Sequence, residues 1–103
     1  MSYYFKGFLA LAYMVAGSFR DGMDYTDQAM AEQPRWVPGV RLKAAMCGHL
    51  GLIEEAHKWV TRHLELDPSM TITRFGEIAK SNAAPEMVAI YLEGLRKAGL
   101  PEE

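Results

Sequence analysis

Apolar residues return every three or four positions along most of this chain, the spacing of a helix with one buried face. The pattern predicts six helices. The first, over 2–16, is apolar nearly all round: Tyr4, Phe5, Phe8, Leu9, Leu11, Met14 and Val15 leave few polar positions, so it wants cover on more than one side. The second, near 20–32, buries Met23, Ala29 and Met30 and turns Asp21, Asp24, Asp27 and Glu32 to water. The third, near 37–49, points Val40, Ala44, Ala45 and Cys47 or Leu50 inward. The fourth, near 54–66, carries Ala56, Val60 and Leu64 on one face, with Glu54 ahead of Lys58 in the favourable i,i+4 order. A short fifth helix, near 72–80 and capped by Ser69 or Thr71, carries Ile72, Phe75, Ile78 and Ala79. The sixth, 85–98, carries Met87 or Val88, Tyr91, Leu92 and Leu95. Gly17, Gly51 and Gly99 stand where a left-handed residue closes a helix, with Leu100 placed for the accompanying hydrophobic contact. Pro34 and Asp67-Pro68 end helices, whereas Pro38 and Pro85 suit first turns. The class expected is all-α.

The first two hairpins are nearly copies. A shift of about 34 residues, a known helical-repeat period, lays Ala10 on Ala44, Gly17 on Gly51, Gly22 on Ala56 and Pro34 on Pro68. The turn GSFRDG at 17–22 falls on GLIEEA at 51–56. With Tyr13 and Ala29, these positions resemble tandem tetratricopeptide repeats. That resemblance implies an α-α superhelix in a single domain over 1–103: one helix–turn–helix repeat over 3–36, a second over 37–70, and a two-helix C-terminal cap over 71–103. Trp36, in the linker, would seal the joint between repeats and fix their angle. Thr26, His63 and Lys43 depart from the pattern and should loosen its packing.

Composition narrows the function by exclusion. A net charge of −2 without any basic run argues against a nucleic-acid surface. The lone cysteine, Cys47, rules out an internal disulfide, leaves the redox compartment open and leans towards the cytoplasm. FKGFLALAYMVAG at 5–17 is apolar after an early lysine, as in a secretory signal, but its small residues keep the repeat register. It is also too short to span a bilayer, so it reads as a repeat helix and no membrane partner is expected.

No residue set announces a reaction. His57 and His63 are six apart, on different faces of one helix, and His49 precedes a turn; all three read as solvent-facing, and no metal site follows. Glu54-Glu55 reads as an acidic first turn favoured by the helix dipole. Cys47 reads as a small packing residue, because no base stands beside it to make it a nucleophile. GHLG at 48–51 lacks the lysine and hydroxyl of a phosphate loop, and its glycines read as part of the turn. No catalytic residue, metal or cofactor is expected.

Tyr3, Tyr4, Phe5, Phe8 and Tyr13 exceed what one hairpin can hide, and an apolar edge of that kind marks an interaction surface. In tetratricopeptide repeats the first helix of each hairpin lines a concave groove for a peptide or helix. The groove positions here are Gly7, Leu11 and Met14, then Arg41, Leu42 and Ala45; with one cation and no asparagine, they suit an amphipathic helix better than a carboxylate clamp. The expected contact residues are Tyr4, Phe8, Leu11, Met14, Val15, Arg41, Leu42 and Ala45. A partner helix, a second copy in a dimer or upstream repeats of a longer protein would cover them, because no capping helix packs on the first helix. AEQPRWVPG at 31–39, LELDPSMTITRF at 64–75 and YLEGLRKAGLPE at 91–102 also resemble the C-terminal tetratricopeptide region of bacterial multidomain adenylate/guanylate cyclases and transcriptional regulators. That likeness implies the alternative of a regulatory tail, with any cyclase activity in a domain this chain lacks.

Overall fold

Ser2 starts the first helix, its hydroxyl accepting the Phe5 N–H at 3.3 Å. The computed structural model describes residues 2–103 and contains α1 (Tyr3–Val15), α2 (Phe19–Glu32), α3 (Val37–Leu50), α4 (Ile53–Leu66), α5 (Ile72–Ala79) and α6 (Pro85–Ala98), with no strand among the described residues. The chain is all-α, and each helix begins and ends within one residue of the expected bounds. Gly17, Gly51 and Gly99 close α1, α3 and α6 at φ of 82°, 74° and 97°. Past each glycine the chain folds back. Ser18 N–H donates to the Tyr13 carbonyl at 2.9 Å, Leu52 to Cys47 at 3.0 Å and Leu100 to Leu95 at 3.1 Å, so orphan carbonyls at all three ends are satisfied. Leu100 is buried, which supplies the hydrophobic contact of that motif.

Small residues set the hairpin crossings. Ala10 and Ala44 are 0% and 1% exposed, and Ala56 of the second hairpin is 0% exposed. A Cβ on Gly22 would stand 3.1 Å from the Ala10 carbonyl, so α1 and α2 approach backbone to backbone. Thr26, a departure from the repeat pattern, is fully buried and spends its hydroxyl on the Gly22 carbonyl at 2.8 Å, which makes a polar side chain acceptable there. Lys43 departs from the repeat without loss: its amine pairs with Asp27 and lies 4.8 Å from the Trp59 ring centroid, tying α3 to α2 and α4.

The sixth helix is more than an end piece. It packs against α3 as extensively as α4 does, and also touches α4 and α1. The contact is a glycine crossing. Gly48 lies inside α3 and not in the following turn, where it had been read, and any side chain on it would run into the Gly94 backbone. A Cβ on Gly94 would meet the Ala45 carbonyl at 2.6 Å and the His49 ring at 2.7 Å. His49 completes the joint: Nε2 donates to the Ile90 carbonyl at 2.7 Å while its ring stacks on Phe19 at 4.3 Å.

The short α5 is held by the C-terminal segment. Its first free N–H groups, Ile72 and Thr73, donate to the carbonyls of Pro101 and Glu102 at 2.9 and 3.0 Å, and Thr71 Oγ1 accepts from Arg74 N–H at 3.1 Å. Phe75 of α5 meets Tyr91 of α6 edge to face at 4.8 Å.

Gly94→Ala should lower stability by about 1–3 kcal/mol in urea denaturation, the cost of overpacking a closed contact. Gly76→Ala, whose new methyl would find its nearest neighbour at 3.4 Å, should instead raise it by up to about 1 kcal/mol through helix propensity. Deleting residues 101–103 should strip hydrogen-exchange protection from the Ile72 and Thr73 amides while leaving α1 to α4 protected. Unchanged protection at those two amides would show that the tail does not hold α5.

Candidate interaction groove

Gly7 lets a tryptophan press close against α1. The Trp36 ring sits where a Cβ on Gly7 would be, and Tyr3 meets that ring edge to face at 5.1 Å. Trp36 is the residue before α3, so this contact sets the first hairpin against the second. Beyond the ring opens a cavity of about 240 Å³ lined by Tyr4, Gly7, Phe8 and Leu11 of α1, Trp36, Pro38, Arg41 and Leu42 at the start of α3, and Tyr91 of α6. Arg41 is its one charged residue.

Arg41 is held from several sides. Its Nε donates to His63 Nε2 of α4 at 3.2 Å, and the guanidinium lies 4.5 Å from the Phe75 ring centroid of α5. Tyr91 stands beside it; burial pushes that phenol up to about 12, partly offset by the arginine. Burial, and then the charge of Arg41, push His63 down to about 4. Because Nε2 accepts from Arg41, the neutral imidazole carries its proton on Nδ1, which is buried without a hydrogen-bond partner. Among the described residues no carboxylate pairs with Arg41.

Of the eight contact residues expected from the sequence, Tyr4, Phe8, Leu11, Arg41 and Leu42 come together around this cavity. Leu42 is 4% exposed and offers an edge of its side chain. Met14 and Ala45 are wholly buried, so their place is the core and not the contact surface. Ala45 is covered because α6 crosses α3 there, filling the groove beyond Arg41 and Leu42. Val15 is exposed but lies off the cavity. The aromatic cluster divides: Tyr3 rests on Trp36 and Tyr13 stacks on Tyr25 at 5.5 Å, while Tyr4, Phe5 and Phe8 remain 53–57% exposed. Pro38 and Tyr91 were not anticipated at the groove; Tyr91 had shown only as one member of an apolar stripe.

The histidines need correction. His57 is exposed, but His49 is half-buried in the α3–α6 joint and His63 is 2% exposed. His63 occupies the repeat position of Ala29, which is wholly buried on α2, so register alone already places it inward. Cys47 is buried and its thiol is pushed up by burial, a packing residue and a poor nucleophile. Glu54 and Glu55 are exposed in the first turn of α4. No cluster of three or more His, Cys, Asp or Glu side chains stands ready for a metal among the described residues, and no described helix is long and apolar enough to cross a membrane. Comparison of the chain with protein-family models, curated proteins and solved structures finds no match.

His63 makes stability depend on pH. Its native pKa of about 4 lies below the ordinary 6.5. Above pH 6.5 it is neutral in both states and its contribution is fully present. As pH falls towards 4 the unfolded chain takes up a proton that the native imidazole refuses, and stability is lost. The expected loss is about 2 kcal/mol by pH 5, read from urea midpoints at pH 7.5 and 5. His63→Leu should flatten the dependence across that window.

Proposed function

We propose that this chain is a non-catalytic interaction module of the tetratricopeptide type. It takes a partner helix or peptide, or a second copy of itself, on the apolar concave face shared by α1, α3 and α6. The observation that carries this reading is the continuity of cavity and exposed aromatics. Tyr4 and Phe8 line the cavity while remaining 57% exposed, and their rings meet edge to face at 5.1 Å. Contiguous exposed apolar surface of this kind marks association sites, and a helix seats its i, i+3 and i+4 anchors in such grooves.

The repeat assignment draws support from packing as well as from register. Ala10 and Ala44, and Gly22 and Ala56, are buried in equivalent places in the two hairpins. Helix α6 departs from the repeat pattern: α3 packs mainly on α2, the second helix of the hairpin before it, whereas α6 packs mainly on α3, the first helix of the hairpin before it. Its burial of Ala45 shortens the groove, so the binding face is concentrated at Trp36, Pro38, Arg41 and the outer side of α1.

Sedimentation of the wild type, Phe8→Glu and Val15→Glu across a range of concentrations tests the face. Phe8→Glu should weaken self-association, or association with an isolated partner, by tenfold or more with far-ultraviolet circular dichroism unchanged. Val15→Glu, exposed and off the cavity, should leave it alone. Self-association, or association with an isolated partner, that is equal in wild type and Phe8→Glu would sink the assigned surface; a wild type that stays monomeric would exclude only the second copy as occupant.

A further inference from the structure

We infer that the groove's occupant is an acidic peptide segment: it seats an apolar side chain among Trp36, Phe8 and Leu11 and sets an aspartate or glutamate carboxylate against Arg41, an inference that rests on the groove being a docking face at all.

Arg41 is a half-buried cation whose contacts are all uncharged: a neutral imidazole, a phenyl ring and a phenol. The other cations on the inner helices are already matched, Lys6 by Glu32 and Lys43 by Asp27. The walls around Arg41 are apolar, so an arriving carboxylate meets its charge with less solvent screening than at an open surface. The guanidinium is also held in advance, by its Nε bond to His63 and its stack on Phe75, and little side-chain freedom remains to be lost on binding. A chain of net charge −2 has no general attraction for acids, so the preference must be local to this residue.

Size and symmetry choose among occupants. A cavity of about 240 Å³ is smaller than the roughly 300–1,000 Å³ of small-molecule sites; it has room for one or two side chains of a longer partner. A second copy packed α1 on α1 brings no acid, because α1 reads YYFKGFLALAYMV. A foreign acidic segment supplies both halves of what the groove offers.

The test is selection of random short peptides displayed on phage against the immobilised full chain, followed by synthesis of the best binders with amidated C-termini. Selected peptides should carry an Asp or Glu at a constant distance from a large apolar residue. Replacing that acid by its amide should weaken binding to the wild type at least about tenfold, the scale of a charge-assisted hydrogen bond. The same replacement should make little difference with Arg41→Gln, whose fold is checked by circular dichroism. If Arg41→Gln does not fold, the acid-to-amide comparison on the wild type still decides. Apolar peptides that bind without an acid, and are blocked by Phe8→Glu, would overturn the acidic inference and leave the docking face standing. No enrichment, or enrichment unaffected by Phe8→Glu, would overturn both.

Discussion

The structure depends on two helices meeting at their backbones. Where α6 crosses α3, Gly48 and Gly94 face each other so closely that neither can carry a side chain without displacing main chain. Backbone contact this tight fixes angle and register together, because interiors pack densely and yield little. From that crossing His49 reaches the Ile90 carbonyl and, one residue on, Tyr91 arrives at Arg41 and forms a wall of the cavity. The repeat register makes the role of Gly48 plainer. Its equivalent in the first hairpin is Met14, a full-sized side chain that is wholly buried. One hairpin fills the position with its own methionine, and the other leaves it empty for a helix more than forty residues further along.

Arg41 is the second joint, and of a different kind. A single side chain on α3 touches α4 through His63, α5 through Phe75 and α6 through Tyr91. A hydrophobic residue of similar volume could bridge the same elements without desolvating a charge, and buried ionic groups commonly stabilise less than such replacements. The arrangement also obliges His63 to stay neutral and leaves its Nδ1 without a partner. Stability alone gives no reason for these costs. The proposed docking of an acidic segment would supply one, since an arginine pre-positioned beside an apolar cavity distinguishes acids from amides.

Local features were legible in the sequence and distant ones were not. Helix limits, the three closing glycines and the apolar members of the buried faces of α2 and α4, Ala29, Met30, Ala56 and Val60, follow from spacing and cap chemistry, which act within a few residues. Leu11 and Arg41 were legible as groove residues because they lie on the first helix of each hairpin, and Tyr4 and Phe8 as contact residues because the aromatic cluster exceeds what one hairpin can hide. Ala45 was misplaced for a physical reason: periodicity shows that a helix face is apolar, and not which neighbour covers it, and here the cover is α6. Gly48 looked like turn chemistry because Gly51 stands three residues away; only the approach of Gly94 distinguishes a packing glycine from a conformational one. His63 could have been placed inward from its register with Ala29, had the repeat been allowed to override its polarity.

Helix α1 explains why the groove and the exposed patch are one surface. Its inner stripe is Gly7, Ala10 and Met14, buried against its neighbours, and small where α2 and Trp36 come close. Its outer stripe is Tyr4, Phe5 and Phe8, more than half exposed. Full burial of one such ring is worth about 1.5–3 kcal/mol, so three rings each about half exposed forgo roughly 2–5 kcal/mol, a sizeable part of a small domain's margin. A helix apolar on both sides is suited to cover on both sides. The chain covers one with α2 and the linker tryptophan. Tyr4 and Phe8 belong to the uncovered side and to the cavity wall alike, so whatever buries the rings must also stand over Arg41.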